Sequence, residues 1–149
     1  MNRSRPEAAS AALRASAESA GDPRVLWDLV SDVEGWGDRL PTVTAVRHVG
    51  GPSPAVVGSR YEVRQPGLPT AVYEVTEWDP GTTFVWVNRS RGLVSTAWHT
   101  VTPTPGGSRL DLAFDWSGPL APLARLVGSR KGRRLVVTEA RTLTRLAEG

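Results

Sequence analysis

The sequence predicts an α+β domain in which a curved antiparallel meander wraps around one long C-terminal helix. Three observations carry that prediction. Between residues 42 and 116, six short segments alternate apolar and polar residues, which is the period of strands. Connectors such as "PGLP", "DPGT" and "SRG" have the length and chemistry of hairpin loops. After "SGPLAPL" the period turns helical and stays so to the end, over a length that no other segment reaches.

Residues 1–8 are polar and include Pro6, so they read as a flexible lead-in to a single domain spanning 9–149. In 9–20, small and polar residues around Leu13 give little helical amphipathicity, which fits an edge strand. Asp22-Pro23 then supplies an N-cap carboxylate followed by proline at the first helical position, where its fixed φ helps and its missing N–H costs nothing. Leu26, Leu29, Val30 and Val33 recur at helical spacing and predict one buried face, with Arg24, Asp28 and Asp32 elsewhere on the surface. Gly35 and Gly37 loosen the next turn, and Pro41 ends it.

The strands are expected at 42–49, 58–65, 70–78, 83–89, 93–101 and 108–116. Short connectors leave no room for parallel crossovers, so successive strands should pair antiparallel. The terminal helix carries Leu120, Leu123, Leu126, Val127, Val137, Ala140, Leu143 and Ala147 at helical spacing. Cations interrupt that stripe at Arg130 and Arg134, as they would where a face borders solvent or a cavity.

With no cysteine in 149 residues, disulfides, thiolate catalysis and thiolate metal sites are excluded. Two isolated histidines without ligand-spaced carboxylates make no metal shell, and His48 beside Gly50-Gly51 reads as surface. Phosphate-loop, dinucleotide-binding and serine-elbow motifs are missing, so neither a metal nor a cofactor is expected. No window approaches the apolar length of a membrane span and the start lacks a signal peptide's apolar core, so the expected location is cytoplasmic. Net charge is only +3, but Arg125, Arg130, Lys131, Arg133, Arg134, Arg141 and Arg145 crowd the last quarter. That patch could meet phosphates or an anionic membrane. It lacks the interleaved aromatics of a nucleic-acid platform, so no nucleic acid is expected.

The chain resembles the START-like, or SRPBCC, superfamily of helix-grip domains, particularly its polyketide cyclase/dehydrase-like branch. The resemblance runs from about residue 10 to the end. It is carried by "RVLWDLVSDVEGWGDRLPTVTAV", "VGSRYEV", "YEVTEWDPGTTFVW", "HTVTPTPGGSRLDL" and "SGPLAPL". In that light "SDVEGW" looks like a helix-to-sheet corner in which Trp36 packs and Asp32 fixes backbone donors, rather than an acid/base pair of Asp32 with Glu34.

The resemblance also implies a mostly apolar cavity between the concave sheet and the long helix, so strand parity decides what lines it. Leu110, Leu112, Phe114 and Trp116 share one face, as do Tyr61, Val63 and Gln65, and Tyr73 and Val75. If Val101 is core, Ser95, Ala97 and His99 point inward and Trp98 outward; the opposite parity buries Trp98. The family's "HTV" favours the first. Likewise Phe84, Trp86 and Asn88 compete with Val85 and Val87, and the first set is preferred. The expected ligand-binding set is Tyr61, Tyr73, Trp86, His99 and Phe114 from the sheet with Leu123, Leu126, Val127 and Arg130 from the helix.

Aromatic walls with a few polar groups suit a flat, hydrophobic, oxygenated ligand such as a lipid, a quinone or an aromatic polyketide. The competing reading is that these rings simply fill the core. For catalysis His99 is the candidate acid/base, because an unperturbed imidazole titrates near neutrality, and Tyr61 or Tyr73 would polarise a carbonyl. Binding of a small hydrophobic molecule is therefore the first expectation, and a cyclase or dehydratase acting on a poly-β-ketone the second. Docking of a macromolecular partner on the basic helix comes third. The oligomeric state is left open, a homodimer included.

Overall fold

Asp22 and Pro23 begin a helix where the sequence places one: the Asp22 carboxylate accepts from the backbone N–H of Arg24 at 2.7 Å, and Pro23 occupies the first turn. The computed structural model describes residues 4–149. In chain order the helices are α1 (Ser4–Ala9), α2 (Pro23–Ser31), α3 (Trp36–Arg39) and α4 (Ala121–Leu146). The strands are β1 (Leu13–Ser19), β2 (Ala45–Gly50), β3 (Arg60–Arg64), β4 (Ala71–Asp79), β5 (Thr83–Ser90), β6 (Leu93–Thr104) and β7 (Gly107–Ser117). Part of the polar lead-in, residues 1–3, lies outside the described residues, while Ser4–Ala9 forms a helical turn and a half.

All seven strands join one antiparallel sheet in the order β1-β7-β6-β5-β4-β3-β2. The weakly patterned segment around Leu13 is indeed an edge strand, with Leu13 opposite Phe114. This closes the meander so that the first and last strands are neighbours, and α4 then lies across the concave face. The result is the helix-grip architecture.

Strand β2 starts at Ala45 rather than at residue 42, because the chain after Pro41 first turns and buries Thr42 beside α4. Between α2 and β2, a single 3-10 turn at Val33–Gly35 leads into α3, and the corner is held by side chains. Trp36 is buried and its indole N–H donates to the Leu29 carbonyl at 3.3 Å. Asp32 accepts from the Arg39 guanidinium at 2.8 Å and caps no backbone donor. That corrects the role expected for Asp32, although it remains structural.

Both questions of strand parity resolve with His99 and Trp86 on the concave side. The His99 ring stacks on Phe84 at 4.0 Å, and Phe84 and Trp86 meet edge to face at 5.4 Å. Trp98, Val85 and Ala113 are buried too, on the convex side, where Ala11 and Ala8 at the end of α1 cover them. A bulge between Val75 and Glu77 shifts the register of β4 by one residue. It swings Trp78 onto the concave face against Trp27, at 5.6 Å, and Phe84, at 5.3 Å. This aromatic group, with Leu26, Val30, Leu110 and Leu143, makes the solid part of the core.

Candidate functional site

Away from that aromatic group the space between sheet and helix is hollow. One cross-strand row explains it: Val75, Trp86, Ala97, Phe114 and Leu13 stand opposite one another in turn from β4 to β1. Ala97 is the small member, flanked by two rings. Above it α4 presents Gly128 and Gly132. A Cβ on Gly132 would stand 2.5 Å from the Leu13 side chain, and one on Gly128 would stand 3.2 Å from Trp116. Backbone without side chains therefore forms part of the roof.

The cavity's volume is about 430 Å³, within the range of small-molecule sites. Its walls are the rings of Trp36, Tyr73, Trp86, Phe114 and Trp116 with the imidazole of His99, together with apolar Leu13, Val63, Leu112 and Val136. Polar groups reach it from one side: Gln65, Lys131 and Glu139.

Burial sets the chemistry of these groups. Glu139 is half-buried where α4 faces the sheet, and accepts one hydrogen bond, from the Thr42 hydroxyl at 3.1 Å. Desolvation outweighs that bond and pushes the carboxyl up to about 7. Tyr73 is raised to about 12, by burial first and by the charge of Glu139 second, so its hydroxyl stays protonated. Burial likewise holds His99 down at about 4, against the smaller opposing effect of its bond to Phe84. Its Nδ1 lies 3.3 Å from the Phe84 carbonyl, which only accepts, so Nδ1 carries the proton and Nε2 is left as an acceptor. The imidazole is thus neutral at physiological pH, contrary to titration near neutrality.

Of the expected ligand-binding residues, the structure brings Tyr73, Trp86, His99, Phe114 and Val127 together around the cavity. Tyr61 is buried behind Trp86, 6.2 Å between rings, and packs on His48 rather than on the hollow. Leu123 and Leu126 face solvent, Leu126 being 82% exposed, and Arg130 shares their side of the helix. The helical period is the reason: the inward face of α4 runs through Gly128, Gly132, Val136, Glu139 and Leu143, and positions 123, 126 and 130 fall opposite it.

Sequence reasoning missed Glu139, Lys131, Trp36 and the two glycines as members of the site. A signal existed for Glu139, which sits four residues before the buried Leu143. Gly128 and Gly132 repeat at the same spacing, a mark of close helix approach that an apolar count overlooks. Lys131 is the chain's only lysine, and its ammonium donates to the Gly67 carbonyl at 2.9 Å, tying α4 to the β3–β4 turn at the cavity's mouth.

A family model described as polyketide cyclase/dehydrase and lipid transport matches residues 10–148. The chain belongs to that family. Among solved structures it is similar to the ZhuI aromatase/cyclase from Streptomyces sp. R1128, at 15% identity with 91% of this chain and 92% of that one covered and a TM-score of 0.76. TTHA0849 from Thermus thermophilus is similar at 16% identity, with 91% and 95% covered and a TM-score of 0.72. The di-domain aromatase/cyclase StfQ of the steffimycin biosynthetic pathway matches at 16% identity over 91% of this chain and 49% of that one, with a TM-score of 0.68. At such identities these likenesses establish the fold that this polyketide cyclase/dehydrase family member shares with them. No curated protein sequence matches the chain. No helix among the described residues is long and apolar enough to cross a membrane.

Proposed function

We propose that this family member binds a small, flat, hydrophobic molecule carrying at least one oxygen in the cavity between the sheet and α4. The observation that carries the reading is the cavity's composition, five aromatic rings and an imidazole around about 430 Å³ with one carboxyl group reaching in. Such walls gain most from an unsaturated or ring-shaped ligand. Glu139 can donate to a carbonyl when protonated and accept from a hydroxyl when ionised, and the neutral His99 adds an acceptor. The family membership and the aromatase/cyclase likenesses support the same class of ligand.

The test is direct. The natively purified protein is extracted with organic solvent, the extract is analysed by mass spectrometry, and any recovered compound is titrated back against tryptophan fluorescence. A stoichiometric compound that quenches emission is the expected result, since Trp36, Trp86 and Trp116 all line the cavity. An empty protein that also ignores lipids, quinones and aromatic polyketides would sink the reading.

A second reading, turnover of a poly-β-ketone, is favoured by Glu139 specifically. A carboxylate poised near neutrality can take a proton from a methylene flanked by carbonyls. The carbanion then adds to a second carbonyl of the same chain, held close by the walls, and the proton returns to the new alkoxide. Binding without turnover, or turnover that Glu139→Gln leaves unchanged, removes this second reading and keeps the first.

A further inference from the structure

The outward side of the first half of α4 is apolar and uncovered. Leu123, Leu126 and Val127 are all more than half exposed, Val127 at 72%. Over the next two turns of the helix come Arg130, Arg133 and Arg134, all exposed. None of the three forms an ion pair among the described residues. Between Asp115 and Glu139 the sequence contains no carboxylate at all.

We propose that this face docks the protein on an anionic lipid bilayer, with Leu123, Leu126 and Val127 entering the acyl boundary and the arginines meeting headgroup phosphates. Apolar side chains beside unpaired cations on one helix side form the pattern of an interfacial helix, each half supplying what the other lacks. A second copy of the chain fits poorly, because a two-fold pairing of this face would set one carboxylate-free arginine cluster near the other. Nucleic acid would satisfy the arginines but leave the leucines against phosphates with nothing apolar to cover them. The position adds a consequence: Val127 also lines the cavity, so docking sets the cavity's mouth at the bilayer surface. A hydrophobic ligand could then pass between bilayer and cavity without crossing water.

Co-sedimentation of the full chain with vesicles tests this. Vesicles of equimolar phosphatidylcholine and phosphatidylglycerol should carry down the protein, phosphatidylcholine alone should carry much less, and added salt should release it. Arg130→Gln and Arg134→Gln should each weaken association by about five-fold. Leu126→Asp should weaken it by roughly ten-fold or more while leaving the thermal midpoint in place, because the side chain touches no core. No association with the anionic vesicles, or equal association of wild type and Leu126→Asp, overturns the proposal. A dimer in sedimentation velocity that Leu126→Asp disperses, without vesicle binding, overturns it in favour of self-association. Cavity occupancy is read separately by fluorescence, so the two proposals fail independently.

Discussion

Glu139 is half-buried because it lies three residues after Val136 and four before Leu143, on the side of α4 that faces the sheet. Its carboxyl rises from an ordinary 4.5 to about 7, so between those values the native state holds a proton that the unfolded chain has released. Stability contributed at this site therefore falls as pH rises through that window. His99 acts in the opposite sense: its value drops from 6.5 to about 4, so the unfolded chain binds the extra proton and stability rises with pH there. The two slopes oppose each other where the windows overlap, and Glu139 alone acts just below neutrality. Glu139→Gln keeps an acceptor for Thr42 and removes the charge. Urea midpoints should show the variant more stable than wild type by a few kcal/mol at about pH 8 and equal to it at about pH 4. Equal midpoints at both values would mean that the carboxyl is better solvated than its burial implies.

The element that decides this molecule is α4, and its two halves behave differently. Ala140, Leu143, Thr144 and Ala147 are buried at its far end, where the Ser19 hydroxyl donates to the Thr144 carbonyl at 2.8 Å and Gly21 passes against the Ala147 carbonyl. The first half instead roofs the hollow with glycines and turns its leucines outward. Leu143→Ala should cost about 2–5 kcal/mol, whereas Leu126→Ala should stay within about 0.5 kcal/mol. Gly21→Ala should destabilise despite its modest size, because a backbone carbonyl blocks the new methyl group and cannot move aside. Denaturant melts of the three variants check the ordering. The contrast also shows what was legible beforehand. Periodicity located the strands of the meander and the long helix, since burial of alternating or helical faces is what drives those patterns. It misjudged which side of α4 faces inward, because Leu123 and Leu126 look like core while Gly128 and Gly132 carry no hydropathy. It could not see the β4 bulge that turns Trp78 inward. Nor could it see that α1 covers the convex face, which is why both Trp98 and His99 are buried and alternation alone left their parity open.

At the scale of the whole molecule, seven strands curve around a single helix that is too narrow to cover their concave face. One half of that face is filled by rings from α2, α3, β4 and β5, among them Trp27, Trp36, Trp78 and Phe84, and this half supplies the packing. The other half stays open because of one small side chain: Ala97 separates Trp86 from Phe114 in the cross-strand row, and nothing on α4 descends to replace it. If packing and binding are divided in this way, the hollow can be filled without weakening the fold. Ala97→Phe puts a ring between two rings and removes cavity volume, with a cost set by how well the three stack. The variant should melt within a few degrees of wild type, because Ala97 lines the cavity and the added ring has that hollow to enter. Its affinity for whatever compound the cavity carries should fall by roughly a hundred-fold, with loss of the tryptophan response. Retained binding by a well-folded Ala97→Phe would place the ligand outside the hollow and undo the division. A variant that fails to fold would be replaced by Ala97→Leu, which takes less volume from the same place and carries the same expectation in weaker form.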